Sequence, residues 1–391
     1  LPAAGRFNHL QLLFEMKKSG LLILVSLLLV SGIFAQRTIV VTNSLGIDRK
    51  GELVEVNLSS LKISFDSKTY VLKNNENKEV GYQLVFNGNK KPQSFIFQVD
   101  VKANKSNKYT LIEGKPAVVK SKTFARFVPE RKDDFAWEND LCAYRMYGPA
   151  LANENPSNGV DLWVKKTNEL IVDEFYNGEL KNGISYHVDN GHGLDLYKVG
   201  HTLGCGGIAP YSSNKLWVEN HFDHYKVIEV GPLRSVFTLI YDSVKVGELF
   251  YKQELTITTN AGSMLNKAEV KYSGPVQKLE LAAGIFLHDG KGTLKQIISN
   301  STSAYAEEAV SDAKVPSGRN YVGFYIPSKV NDARKEGEHG LMTSSYKVGD
   351  TFTYYFGGGW SKWGYPSDDA WFNAINRFSE ISRNPLKITV K

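Results

Sequence analysis

The chain has 391 residues, 42% of them hydrophobic, which is enough for two domains or one large β domain. Its 47 Lys and Arg against 41 Asp and Glu leave a formal net charge of +6 with no basic cluster, which argues against a nucleic-acid binder. Its two cysteines, Cys142 and Cys205, show no paired spacing for a structural metal; a disulfide and two buried thiols both remain open.

In chain order, Lys17-Lys18, the apolar run 21–34 and Ala35 read as a secretory signal peptide that starts at Met16. Residues 1–15 read as an upstream extension. Cleavage near Ala35 implies a secreted or periplasmic protein, and the absence of a Cys after the cut implies no lipid anchor. The mature chain keeps a mild positive charge, which suits an anionic ligand.

Alternating segments at 38–41, 53–56, 62–65, 70–73, 80–86 and 94–101 predict strands, with turns at Asn74-Asn75-Glu76-Asn77 and Asn87-Gly88-Asn89. The basic, less periodic stretch 109–131 marks a boundary. Strand patterns resume at 160–165, 226–230, 235–241, 251–258, 267–272, 278–286, 321–326 and 351–356. One helix is predicted near the C-terminus. Ser367 is its N-cap, Asp368 and Asp369 its first turn, and Trp371, Ala374, Ile375, Phe378 and Ile381 its apolar face. Asn384-Pro385 stops it, and 386–390 reads as a last strand. The expected fold is all-β. A small sandwich (36–125) precedes a large antiparallel supersandwich of galactose-mutarotase type (126–391) with one C-terminal helix.

Residues 184–208, ISYHVDNGHGLDLYKVGHTLGCGGI, crowd histidines, aspartates, tyrosines and Lys198 among glycines. A polar, Gly-rich loop of that length is costly to order and is usually functional. Residues 134–149, DFAWENDLCAYRMYGP, are its expected partner across a sugar-binding groove. His187 and Lys198 are the candidate bases, Tyr147 and Tyr197 the candidate acids. Arg145 and Arg234 sit in apolar surroundings, where a guanidinium must be paired; each is a carboxylate clamp or a structural ion pair. Trp137, Glu138, Tyr186, Asp189, Asp195, His221, Trp360 and Lys362 complete the candidate substrate contacts. His221 and Asp223 share one face of a strand and His224 the other, so these three do not ligate one ion; a solvated strand end is expected, with a metal site of His221, Asp223 and a loop histidine as the alternative. The segment 357–363, GGGWSKW, lacks phosphate-loop spacing, and no Gly-x-Ser-x-Gly elbow occurs. No cofactor and no metal are expected.

The motifs DFAWENDLCAYRMYGP, GVDLWVKK, YHVDNGHGLDLYKVGHTLGCGG, VGPLRSVF and GGGWSKWG occur in this order, after NSLGIDRKGELVEV near the mature start. Together they resemble a secreted domain-of-unknown-function family encoded in polysaccharide-utilisation loci, similar to oligosaccharide dehydratases of ulvan breakdown. The resemblance covers the mature chain. It implies removal of water from a non-reducing-end uronic acid to leave a 4,5-unsaturated sugar. It places Trp137, Glu138, Arg145, Tyr147, Asp161, Trp163, Tyr186, His187, Asp189, Gly193, Asp195, Tyr197, Lys198 and Arg234 inside matching motifs without assigning their roles. A polysaccharide lyase would use the same kind of site. A glycoside hydrolase with paired carboxylates such as Glu138 and Asp195, a non-catalytic glycan-binding protein and a sugar epimerase are the alternatives. The expected partner is an anionic, uronic-acid-containing oligosaccharide, with neither nucleic acid nor a stable membrane anchor.

Overall fold

The computed structural model describes residues 36–65, 67–154, 159–310 and 314–391; the leader expected at 1–35 lies outside them. Of the described residues, 52% are strand and 11% helix, and every strand ladder described is antiparallel.

An N-terminal sandwich packs two sheets. One runs Lys387–Val390, Arg37–Thr42, Ser106–Glu113, Tyr70–Lys73, Glu79–Val80; the other runs Arg49–Asn57, Ser94–Val101, Tyr82–Val85. Ile39, Val41, Leu72, Phe95, Phe97 and Leu111 fill the space between them. The last strand of the chain crosses back to this sandwich, Val41 facing Ile388, and Leu386 joins its core. The unit expected at 126–391 therefore gives up its end, and strand Thr123–Val128 straddles the expected boundary. Residues 62–65 are not a strand. A short helix, Leu58–Leu61, precedes them, and Lys62 caps it in the left-handed region at φ 52°.

The larger part packs three sheets around one core. The eight-stranded sheet runs from the edge strand His224–Val230 through Phe352–Trp360 to Thr293–Ile297. A five-stranded sheet holds Cys205–Ser212, Lys278–Phe286 and His339–Lys347. The third runs Gly193–Asp195, Val160–Lys165, Cys142–Met146, Asp134–Asn139, Thr123–Val128, and it carries the chemistry. Side chains alternate across a strand. Phe135, Trp137, Tyr144, Met146, Leu162, Val164 and Leu194 therefore enter the main core. The residues between them (Asp134, Ala136, Glu138, Ala143, Arg145, Asp161, Trp163, Lys165 and Asp195) share the opposite face. Register brings Arg145 opposite Asp161 and Trp163 opposite Asp195. Gly193 is needed where it stands: at φ 124°, a Cβ there would lie 2.0 Å from the Val164 carbonyl oxygen.

The C-terminal helix, Asp368–Arg383, begins as expected, with the Ser367 hydroxyl accepting from the Ala370 N–H at 3.2 Å. Trp371, Phe372 and Ile375 pack on Ala304, Ala306 and Tyr321 of the large sheet. A further helix, Val172–Asn182, was not expected. It buries only Val172, Phe175 and Tyr176, and they cover Trp163 on the chemistry-bearing face.

One fold contact has a measurable pH signature. His339 Nε2 accepts the Leu203 N–H at 3.1 Å, which ties down the end of the Gly-rich loop. Burial pushes this imidazole down to about 4. Its folded pKa lies below the unfolded one, so its contribution is fully present above about pH 6.5 and is lost as pH falls through about 4. Denaturant unfolding between about pH 7 and about pH 4 is expected to show a loss of at most about 3 kcal/mol from this group, reduced in His339→Gln.

Candidate active site

Arg145 is the hub. Its Nε and Nη2 donate to Asp161 Oδ2 at 2.9 and 2.6 Å, Nη2 also donates to Asp195 Oδ2 at 2.9 Å, and Nη1 donates to the Tyr186 hydroxyl at 3.2 Å. Asp134 Oδ2 lies 3.6 Å from Nη1. The guanidinium is sandwiched among the rings of Tyr147, Trp163 and Tyr186, 5.0, 5.1 and 5.7 Å from their centroids. Trp163 Nε1 donates to Asp161 at 3.1 Å, and the Tyr176 hydroxyl donates to Asp134 at 3.1 Å.

One cation cannot neutralise three buried carboxylates in a low-dielectric interior, so protons make up the difference. Burial drives the Asp195 carboxyl well above the usual range, the Asp161 charge adds to this, and Arg145 and Lys198 oppose it. Burial likewise pushes Asp134 up to about 6 against the pull of Arg145 and Arg131. Burial works against the Arg145 charge too, but Asp161, Asp195 and Asp134 outweigh it and hold the guanidinium firmly protonated.

His187 stands at the edge of this hub with 30% of its side chain exposed. Its Nδ1 lies 3.1 Å from the Asp195 carbonyl oxygen and 3.6 Å from Asp195 Oδ2. A carbonyl oxygen only accepts, so in the neutral ring Nδ1 carries the proton and Nε2 the lone pair. The ring packs at 4.7 Å on Tyr186, which Arg145 fixes in turn. Lys198 is exposed close enough to Asp195 to lower its pKa. Tyr147 is half-buried over Arg145, and burial, then Asp161, pushes its hydroxyl far above the ordinary range. Asp189 pairs with Lys166 at 2.6 Å and braces the loop from outside.

The structure therefore unites Arg145, Tyr147, Tyr186, His187, Asp195, Tyr197 and Lys198, and of the two roles expected for Arg145 it shows the ion pair and not the clamp. Each of its nitrogens is already committed and the residue is buried, so it organises the site and cannot clamp a substrate carboxylate. Other expectations fail on burial or position. Glu138 has no exposed surface; it accepts from Lys165 Nζ at 2.8 Å and from the N–H groups of Ile171 and Val172, where it anchors the N-terminus of helix Val172–Asn182. Trp137 is a core ring stacked on Tyr144, its Nε1 donating to Asn266. Trp360 is buried with its Nε1 on the Ser317 carbonyl, and Lys362 lies over that ring on the outside. Arg234 bridges the two sandwiches, donating to Glu55 at 2.7 Å and Asn260 at 2.8 Å. His221 lies in the loop before the edge strand, beside the buried Phe222. Its neighbour His224 is exposed and paired with Asp242 at 3.1 Å. Among the described residues, no group of three metal-ligating side chains occurs, and both cysteines are free and buried.

A second His–carboxylate pair stands beside the first and was not among the expected site residues. His288 Nδ1 lies 2.7 Å from Glu307 Oε1, and its Nε2 donates to the Lys198 carbonyl at 2.9 Å. The Tyr197 ring meets it edge-on at 4.8 Å, and the buried Tyr197 hydroxyl has no hydrogen-bond partner. Both pairs are thus joined by one short stretch, residues 195–198. His288 adopts φ 37°, in the left-handed region that few non-glycine residues enter. Nothing local in HDGKG distinguishes it in the sequence.

Residues 41–388 match the family described as a domain of unknown function, DUF4861. The chain belongs to this family. It is 28% identical to Uncharacterized protein P7 of Formosa agariphila over 377 residues, 91% of this chain and 93% of that one. Among solved structures, this DUF4861 chain is similar to an alpha-mannosidase and to a protein in the glycosyl hydrolase family 38, both from Enterococcus faecalis. Identity is 9% in each case, with TM-scores of 0.48 and 0.49. The alignments cover 91% of this chain but only 46% and 47% of theirs.

Proposed function

We propose that this protein is a carbohydrate-active carbon–oxygen lyase that removes water from the non-reducing-end uronic acid of an oligosaccharide, as in ulvan breakdown. It works outside the cytoplasm after loss of its leader and without a membrane anchor. The observation that carries the reading is His187, half-exposed and oriented by Asp195, which Arg145 holds in turn. Elimination breaks the C5–H bond, and its electron pair becomes the C4–C5 double bond as the C4–O bond breaks. His187 Nε2 takes the C5 proton. The Asp195 carbonyl oxygen, 3.1 Å from Nδ1, accepts the ring's other proton and favours the imidazolium that forms. Tyr147, whose raised pKa keeps it protonated, suits protonation of the departing hydroxyl, which leaves as water. The Lys198 ammonium adds positive charge beside the enolate-like intermediate.

The hydrolase alternative loses its residues. Glu138 is spent on Lys165 and the helix N-terminus, and Asp195 on Arg145, so this pair cannot flank a glycosidic bond. Mass spectrometry of uronic-acid-ended oligosaccharides before and after incubation tests the proposal. The expected result is loss of one water from an intact oligosaccharide, with the ultraviolet absorbance of a conjugated uronate. Two smaller products, one unsaturated, would make it a lyase that expels a sugar. Hydrated fragments or unchanged mass would sink the elimination.

A further inference from the structure

An elimination beside a carboxylate needs a cation that can bind that carboxylate, and the two arginines singled out in the sequence are both committed to protein partners. Arg131 is not. It precedes strand Asp134–Asn139 in a tight turn closed by the Asp134 N–H on the Arg131 carbonyl at 3.2 Å. The central residues of this turn, Lys132 and Asp133, are both left-handed, at φ 48° and 61°. Such turns ordinarily take Asn or Gly, and strain of this kind persists where the surroundings enforce it. Gly148 is the enforcing neighbour, packed so closely that a Cβ would lie 1.8 Å from the Asp133 carbonyl oxygen. The turn lays Arg131 beside Asp134 on the chemistry-bearing face, Nη1 to Oδ1 3.7 Å, too long for a hydrogen bond. Both of these buried atoms lack a hydrogen-bond partner. The guanidinium also reaches the Tyr186 hydroxyl, next in sequence to His187. A screened guanidinium N–H without an acceptor, on a residue that meets the Tyr186 against which His187 packs, is a donor suited to an anion, since such donors are rarely left unmet.

We infer that Arg131 is the receptor for the substrate's carboxylate, the group that makes this site select a uronic acid over a neutral sugar. This rests on the uronate reading of the same site. Arg131 keeps 24% of its side chain exposed, so it stands at the rim of this face, and its replacement does not empty a packed interior.

Calorimetric titration tests the inference without relying on turnover. Wild type, Arg131→Gln and Arg131→Lys are each titrated with an oligosaccharide ending in glucuronic acid and with the same oligosaccharide ending in glucose. Wild type is expected to favour the uronate about 100-fold, as a bidentate charged contact gives. Arg131→Gln is expected to bind both sugars alike, at the weaker affinity, with an unfolding midpoint close to wild type. Arg131→Lys is expected to recover part of the preference. Uronate preference that persists in Arg131→Gln overturns the inference and leaves the uronate reading intact. Absence of any preference in wild type overturns both. Preference lost in Arg131→Gln, in a wild type that releases no water, supports the receptor and removes the elimination.

Discussion

Arg145→Met is expected to lose about 3–5 kcal/mol of stability at neutral pH, the range found when one partner of a buried ion pair is removed. The cause is the charge left behind. Asp161, Asp195 and Asp134 converge on this one guanidinium from strands Val160–Lys165, Gly193–Asp195 and Asp134–Asn139. Without it, two or three carboxylates remain dry and mutually repelling. Their only remedy is protonation, which gives the variant a signature that a simple packing defect lacks. For a carboxyl whose folded pKa is raised, such as Asp134 at about 6, the contribution is fully present below the unfolded value near 3.8 and lost as pH rises through about 6. Loss of Arg145 raises these groups further. Urea unfolding is therefore expected to show Arg145→Met closest to wild type near pH 5 and furthest from it near pH 8. A deficit independent of pH would mean that the methionine merely packs badly.

His187→Ala is expected to reduce turnover about 10²–10⁴-fold, the usual yield of a positioned general base. Its stability should stay within about 1 kcal/mol of wild type, because the half-exposed ring contributes little to the core. Asp195→Asn separates orientation from basicity. The amide keeps the shape and the orienting backbone carbonyl but cannot ionise as the imidazolium forms, so kcat should fall while KM changes little. If His187→Ala kept more than about a tenth of wild-type turnover, the base would lie elsewhere, and the His288–Glu307 pair would be the first place to look.

The β class was legible because alternation and turn residues recur along the chain. So was the C-terminal helix, whose cap and apolar stripe are local signals. Helix Val172–Asn182 was not, because only Val172, Phe175 and Tyr176 are buried and its N-terminus is held by Glu138 from a distant strand. The return of the last strand to the first sandwich is likewise a long-range pairing that no local pattern encodes.

In the candidate site, the clustering of titratable residues in 184–208 singled out His187, Asp195 and Lys198, which the fold places close together. What failed was deciding which charges were already spent. Arg145 and Arg234 look alike in sequence, each a guanidinium in an apolar stretch. One is saturated by carboxylates of its own sheet, and the other by Glu55, 179 residues away. Strand parity carries part of the missing information. Asp134, Glu138, Arg145, Asp161, Lys165 and Asp195 all fall on one face once the four strands are set in register. The same parity sends Trp137 into the core, where a sugar-stacking role is closed to it.

The fate of the C5 hydrogen tests the central claim most directly. An oligosaccharide ending in C5-deuterated glucuronic acid is incubated with wild-type protein, and product and solvent are examined by mass spectrometry and deuterium NMR. Every molecule that loses water is expected to release its C5 deuterium, with turnover slowed several-fold relative to the protiated substrate, and both water loss and deuterium release are expected to fall about 10²–10⁴-fold in His187→Ala. Consumption of the substrate with deuterium retained at C5 would contradict it and place the chemistry at another carbon.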